Sequence, residues 1–269
     1  MFNTEVFLFA GATLLAAAVL LWLVSIIKRD VSIVDSFWSL MILLSGLVFF
    51  VSTENHVQRS YLVITLAVIW AIRLSAFISW RNWGEPEDFR YQQIRANNEP
   101  SFKYKSLYIV FGLQAVLAWI VSLPLLAAID SESSLNWLDY FALSLWLFGM
   151  FFEVVGDAQL ARFKADPSNR GKVMSQGLWS YTRHPNYFGE FCIWWAFFIF
   201  ALAADSWLSI ISPVLMSLLL LKVSGVSLLE KDISKRRPAY IEYCQRTNAF
   251  FPWFPKKDLA HSHKTESAS

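Results

Sequence analysis

The stretch EVFLFAGATLLAAAVLLWLVSII, residues 5–27, carries a single charged side chain, Glu5 at its first position. About 20 apolar residues in a helix span a hydrocarbon core roughly 30 Å thick. Backbone N–H and C=O groups in that core must be satisfied within the segment itself, and a helix does this. The run has no preceding Lys or Arg and no small-residue cleavage pattern. It continues through Trp22 and Leu23 to Lys28, so it reads as a retained span and not as a removed signal.

Six further runs of this kind follow, at about 33–53, 60–80, 106–129, 136–155, 186–203 and 207–229. The whole chain is 56% hydrophobic, 17% aromatic and 16% charged, far from the balance of a soluble domain. The sequence therefore predicts an all-α polytopic membrane protein of about seven transmembrane helices. Residues 1–256 read as one integral membrane domain, and 257–269 as a disordered polar tail. Lys and Arg number 2, 5, 5 and 8 in the connections 28–32, 81–105 and 156–185 and in the tail after 229, whereas the intervening connections hold Arg59 alone. Cations accumulate on the cytoplasmic side, so the amino terminus is expected outside and the carboxyl terminus in the cytosol. A bacterial inner membrane fits that orientation, as does the endoplasmic reticulum of a eukaryote. The net charge of +2 conceals the asymmetry and gives no ground for a nucleic-acid partner. Cys192 lies within a span and Cys244 in the tail, which argues against a disulfide or a cysteine metal site. No transporter-like internal repeat is present.

Charges within the spans carry more information, because an ionisable group in hydrocarbon needs a polar cavity or a partner. Asp35, Arg73, Glu153, Asp157 and Lys222 come from four different runs, and the orientation above places all of them in the cytoplasmic half. They read as the lining of a cavity entered from the cytosol. Around it lie three polar segments: RNWGEPEDFRYQQIRANNEP, GDAQLARFKADPSNRGKVMSQGLW, and EKDISKRRPAYIEYCQRTNAFFPWFP. Lys235, Arg236 and Arg237 suit contact with anionic membrane lipids. Asp157, Asn169, Asn186 and Glu190 are not topology signals. Combined with Arg170, Lys172, Arg183, His184 and Tyr187, they suit a phosphorylated, sugar-bearing ligand, with cations on phosphate and amides or carboxylates on hydroxyls. Neither GxGxxG nor GxxxxGK[ST] occurs, so a Rossmann or P-loop site is not expected. In SYTRHPNYFGEFCIWWAFF, residues 180–198, Pro185 can open the sixth span, which puts Asn186 and Tyr187 at a helix amino terminus. Glu190 then follows Asn186 on the same face.

GLWSYTRHPNYFGEFCIWWAFF, with YIEYCQRTNAFFPWFP about fifty residues later, resembles the carboxyl-terminal domain of the steroid 5α-reductase family. WAIRLSAFISWR followed by EDFRY is similar to a bacterial and plant branch beside those reductases. The resemblance implies a seven-helix reductase that uses NADPH held from the cytosolic side, with a lipophilic enone as substrate. It implies a nucleotide-binding part at about 150–256. Nucleotide contacts carried over by position fall on Asp157, Lys164, Lys172, Asn186 and Glu190, with Arg81 from the earlier connection. Lys164 and Lys172 stand where the family has arginines, and Glu153 where it has an amide. The family grips the substrate ketone with a Gln-Glu pair and a Tyr. The nearest residues here are Asp35 and Trp70, which become the candidate catalytic positions.

Hydride addition to the β carbon of an enone builds negative charge on the carbonyl oxygen, which calls for a hydrogen-bond donor there. Asp35 can supply one if neutral. It can equally pair with Arg73 to join the second and third helices, and the residue types allow both. The R-H-P-N-Y turn also resembles that of isoprenylcysteine carboxyl methyltransferases, which leaves S-adenosylmethionine-dependent methyl transfer to a lipid as the alternative.

Overall fold

The computed structural model describes residues 3–223 and 239–256. Among them every regular element is helical: α1 (Thr4–Lys28), α2 (Ile33–Ser52), α3 (Gln58–Arg81), α4 (Phe89–Ala96), α5 (Phe102–Ile129), α6 (Trp137–Ala165), α7 (Pro185–Ala203), α8 (Trp207–Lys222) and α9 (Ala239–Arg246). Six of these, α1, α2, α3, α5, α6 and α7, are long and apolar enough to cross a membrane. The chain is thus a polytopic, all-helical membrane protein. α8 begins the expected seventh run. The remainder of that run, the basic residues Lys235, Arg236 and Arg237, and the tail after 256 lie outside the described residues.

Helix ends follow local chemistry. Asn3 caps α1 by accepting from Val6 N at 3.2 Å. Arg29 closes it in the left-handed region at φ 56°, with its N–H on Ser25 O. The turn to α2 is then short, and Asp30 Oδ1 accepts from Ser32 N at 2.8 Å. α5 contains a π-helical turn at Leu107–Gly112 and is interrupted at Ser122, just before Pro124. α6 runs on to Ala165, well beyond the expected end of its span near 155, so Glu153, Asp157 and Lys164 share one helix.

The described chain falls into two compact units: residues up to Phe141 with Phe197–Pro213, and Ala142–Ala196 with the described residues from Val214 onward. In the first unit α2 packs among α1, α3 and α5. Trp119 of α5 lies flat against Gly11 and donates to Phe7 O at 2.8 Å. Ser39 Oγ donates to Ala71 O at 3.0 Å between α2 and α3. Near the start of α3, Arg59 is 0% exposed, whereas its sequence context reads as a loop cation. Its guanidinium meets both oxygens of Asp139 at 2.7 Å and also bonds Ser131 and Ser133. A planar fork on a carboxylate with its other donors filled can sit in a dry site.

The second unit is organised by two glycines. A Cβ on Gly149 of α6 would stand 2.7 Å from Gly189 O, and one on Gly189 of α7 would stand 2.5 Å from both Gly149 O and Glu153 N. The helix backbones touch there, and Phe152, Phe188, Cys192 and Phe250 pack as a core beside the contact. Gly189→Ala should therefore lower the melting midpoint in detergent by the equivalent of about 1–3 kcal/mol or more, because backbone cannot swing aside. At Gly46 the nearest atoms are the mobile tips of Leu125 and Ile64 at 3.3 and 3.4 Å, so Gly46→Ala should cost much less. Equal losses in the two variants would contradict this packing.

Candidate functional site

Asp35 lies in the first turn of α2. Its two oxygens accept from two residues of α4: Arg90 Nη2 reaches Oδ2 at 2.7 Å, and the Tyr91 hydroxyl reaches Oδ1 at 2.6 Å. Arg90 rather than Arg73 is thus its ion partner. α4 is built for this contact. Asp88 caps the helix, accepting from Arg90 N and Arg90 Nε at 2.9 Å. Glu87 binds Val31 N at 2.9 Å and takes a bidentate pair from Arg95, whose guanidinium covers the Phe102 ring at 4.4 Å. In EPEDFRY, residues 85–88 are therefore the docked turn that leads into α4, and Phe89–Tyr91 are its first helical turn. Its alternation of carboxylates, arginines and aromatics was the signal in the sequence.

This cluster is electrostatically coupled. Burial pushes the Tyr91 phenol above its ordinary range, and the adjacent Asp35 charge and hydrogen bond push the same way. Partial burial would raise Asp88, but the Arg90 hydrogen bonds and charge outweigh it and hold the carboxyl below its ordinary value. Arg90 is driven up: burial opposes this, and the bond to Asp88 with the charges of Asp35 and Asp88 prevails. Asp35 accepts at both oxygens, the pattern of a carboxylate. Its side chain is 19% exposed and that of Arg90 37%, so the cluster can be reached. Trp70, the other candidate catalytic position, is fully buried in α3. Arg73 lies over the Phe77 ring at 5.3 Å. Arg81 ends α3, exposed, with Nε donating to Asn82 Oδ1 at 3.1 Å.

In the second unit Pro185 opens α7 as the sequence predicts. The glycine contact between α6 and α7 brings polar residues of both helices together. Asn186 Nδ2 donates to Asp157 Oδ1 at 3.0 Å. That orientation is chemically forced, since a carboxylate only accepts. One helical turn on, Glu190 is 7% exposed and accepts from Trp194 Nε1 at 3.0 Å. His184 is buried and stacks on Tyr187 with ring centroids 5.7 Å apart. Arg183 works partly in the scaffold: its N–H donates to Asn248 O and its Nη1 to Cys244 O, at 2.9 and 3.0 Å. The Thr182 hydroxyl and Trp253 N add bonds to Phe250 O and Tyr181 O. Residues 248–253 thus hold the turn that leads into α7.

The remaining candidates sit at the polar end of α6 and beyond it. Lys164, Arg170 and Lys172 are exposed. Asn169 spends its amide on Phe163 O at 3.1 Å, closing the turn that carries them. The donor set of this unit, with a fixed amide, buried carboxylates and nearby cations, fits the amide, hydroxyls and phosphates of a nicotinamide dinucleotide. Asn186, Asp157 and Glu190 would hold its hydroxyl and amide groups, and Lys164, Arg170 and Lys172 its phosphates.

The Tyr91 shift has a measurable sign. A group whose pKa rises on folding adds stability that is complete below its unfolded value, 10.0 for tyrosine, and is lost as pH climbs toward the folded one. Between about pH 9 and 11, where ordinary tyrosines ionise, the near-ultraviolet titrations of wild type and Tyr91→Phe should superimpose. An extra step in the wild type near pH 10 would contradict the burial of this hydroxyl against Asp35.

Comparison with known proteins sets this architecture among relatives. A family model described as "Protein of unknown function (DUF1295)" matches residues 21–247. An uncharacterized protein of Schizosaccharomyces pombe is 26% identical, over 86% of this chain and 75% of its own length. No solved structure matches. The family match takes in all six spans in whole or in part and both polar clusters, and by it the chain belongs to the DUF1295 family.

Proposed function

We propose that the chain is a membrane oxidoreductase that uses NADPH to reduce a carbon–carbon double bond conjugated to a carbonyl in a steroid-like or other lipophilic substrate. The observation that carries this reading is the pairing of buried Asp157 with half-buried Asn186, one turn from Glu190, at the start of a helix whose sequence resembles the steroid 5α-reductases. Bound NADPH supplies the hydride. Asp157 fixes the Asn186 amide so that its carbonyl oxygen is presented as an acceptor. Lys164, Arg170 and Lys172 neutralise phosphate, and the additional cation beyond a pyrophosphate favours the 2′-phosphorylated cofactor.

For the substrate carbonyl the donor assignment moves from Asp35 to Tyr91. Asp35 is engaged as acceptor at both oxygens; the single Tyr91 proton lies on Asp35 in this structure, and in the reaction it turns to the substrate carbonyl while Asp35 keeps Arg90. A phenol with a raised pKa keeps its proton and stabilises oxyanion charge by hydrogen bonding. Overall the reduction consumes one hydride at the β carbon and one proton at the α carbon. Asp35 and Arg90 orient the phenol. Trp70, enclosed in α3, serves here as support for the α2–α3 packing and not as a group on the substrate.

Three outcomes test the proposal in purified, detergent-solubilised protein. NADPH should raise the melting midpoint more than NADH does, by up to about 2.7 kcal/mol at a hundred times its Kd. Asn186→Ala should abolish that rise, whatever the lower midpoint without cofactor that loss of its bond to buried Asp157 brings. Tyr91→Phe should keep the NADPH response and lose roughly 10²- to 10³-fold in turnover across a panel of steroid, sterol and fatty enones. Stabilisation by S-adenosylmethionine and none by NADPH would replace this reading with lipid methyl transfer.

A further inference from the structure

Beside the polar seam of the second unit runs a groove with different chemistry. It has a volume of about 400 Å³, an almost wholly apolar lining, and walls of Phe152, Leu178, Tyr181, Pro252, Trp253 and Phe254. That size falls within the range of about 300–1,000 Å³ usual for small-molecule sites. Its outer wall is not a loose tail. Trp253 N bonds Tyr181 O at 3.0 Å and Lys256 N bonds Arg246 O at 2.9 Å. Pro252 and Pro255 further restrict the backbone between these points. On this fixed strand Phe251, Trp253 and Phe254 are 60, 69 and 74% exposed. Three large rings left open side by side mark a contact surface.

The floor of the groove identifies what covers it. Phe152 belongs to the membrane-spanning α6 and packs against Phe148 and Phe151 at centroid distances of 4.9 and 5.8 Å. Those two rings are 47 and 53% exposed on the face that a span turns to lipid. The groove is therefore continuous with the lipid-facing surface. At its polar end Lys256 is exposed, two residues beyond Phe254. We propose that this groove binds an acyl chain of a bilayer phospholipid with an anionic headgroup, the headgroup lying at Lys256. The site is separate from the reductase reading and stands or falls without it.

The test uses the full chain in phosphatidylcholine nanodiscs doped with phosphatidylglycerol bearing a photoreactive diazirine in one acyl chain. Cross-linked peptides are then mapped by mass spectrometry. Label should concentrate on residues 178–181 and 251–254. It should fall severalfold in Leu178→Trp, which fills the groove, and in Phe254→Ser, which removes an exposed wall at little risk to folding. Lys256→Gln should reduce the preference for labelled phosphatidylglycerol over equally labelled phosphatidylcholine by roughly fivefold, the equivalent of about 1 kcal/mol per cation at an anionic surface. Label spread evenly over Leu8, Leu20, Ile27 and Val51, or none at residues 178–181 and 251–254, would overturn the proposal.

Discussion

Gly149 and Gly189 let two helix backbones meet with no side chain between them, and the polar groups of the second unit are placed by that contact. Once α6 and α7 are fixed at their closest approach, the positions one turn away on each helix must face the same seam. On α6 these are Glu153 and then Asp157, and on α7 Asn186, three positions before Gly189. A larger residue at either glycine would part the helices and separate the amide from its carboxylate. Gly156 repeats the device, since a Cβ there would stand 3.1 Å from Asn186 N. Small residues that admit backbone contact are a general way of packing helices in lipid, where burial of apolar surface gives no net drive.

Two of the ion pairs in the first unit solve the same desolvation problem differently. Arg59 and Asp139 are 0 and 1% exposed, and serine partners take up the remaining donors. Nothing enters such a pair without unfolding its surroundings, so its role is architectural. Asp35 and Arg90 are 19 and 37% exposed, and the aromatic partner of the carboxylate is a hydroxyl. Under the proposed function an incoming carbonyl takes the Tyr91 proton from Asp35, and Arg90 stays on the carboxylate.

Much of this architecture was legible from composition. Apolar runs located the spans, because the hydrocarbon core demands about 20 residues whatever the fold. Pro185 marked the start of α7 because its ring suits a first turn and lacks only an N–H that has no partner there. The end of α6 was misplaced because hydropathy falls at Glu153 and Asp157 while helical hydrogen bonding continues to Ala165. Pairings were the least visible part. Asp35 finds Arg90 at a separation of 55 positions and Arg59 finds Asp139 at 80, distances over which local pattern carries no information. Arg73 was the nearest cation by helix order, and Arg59 resembled a loop charge for the same reason. The nucleotide and substrate roles rest on residue chemistry and on resemblance.

The bonds that tie the turn before α7 to the chain beyond α9 impose an order on biosynthesis. Thr182 and Phe250 are 68 positions apart. A nascent chain delivers His184, Asn186 and Glu190 into the bilayer while the segment that braces them is still in the ribosome. Until that segment emerges, the turn lacks the partners on Asn248, Cys244 and Phe250 that set its shape. The polar seam is therefore finished late. A premature stop between residues 204 and 243 would leave the spans through α7 made and the turn into α7 without its brace.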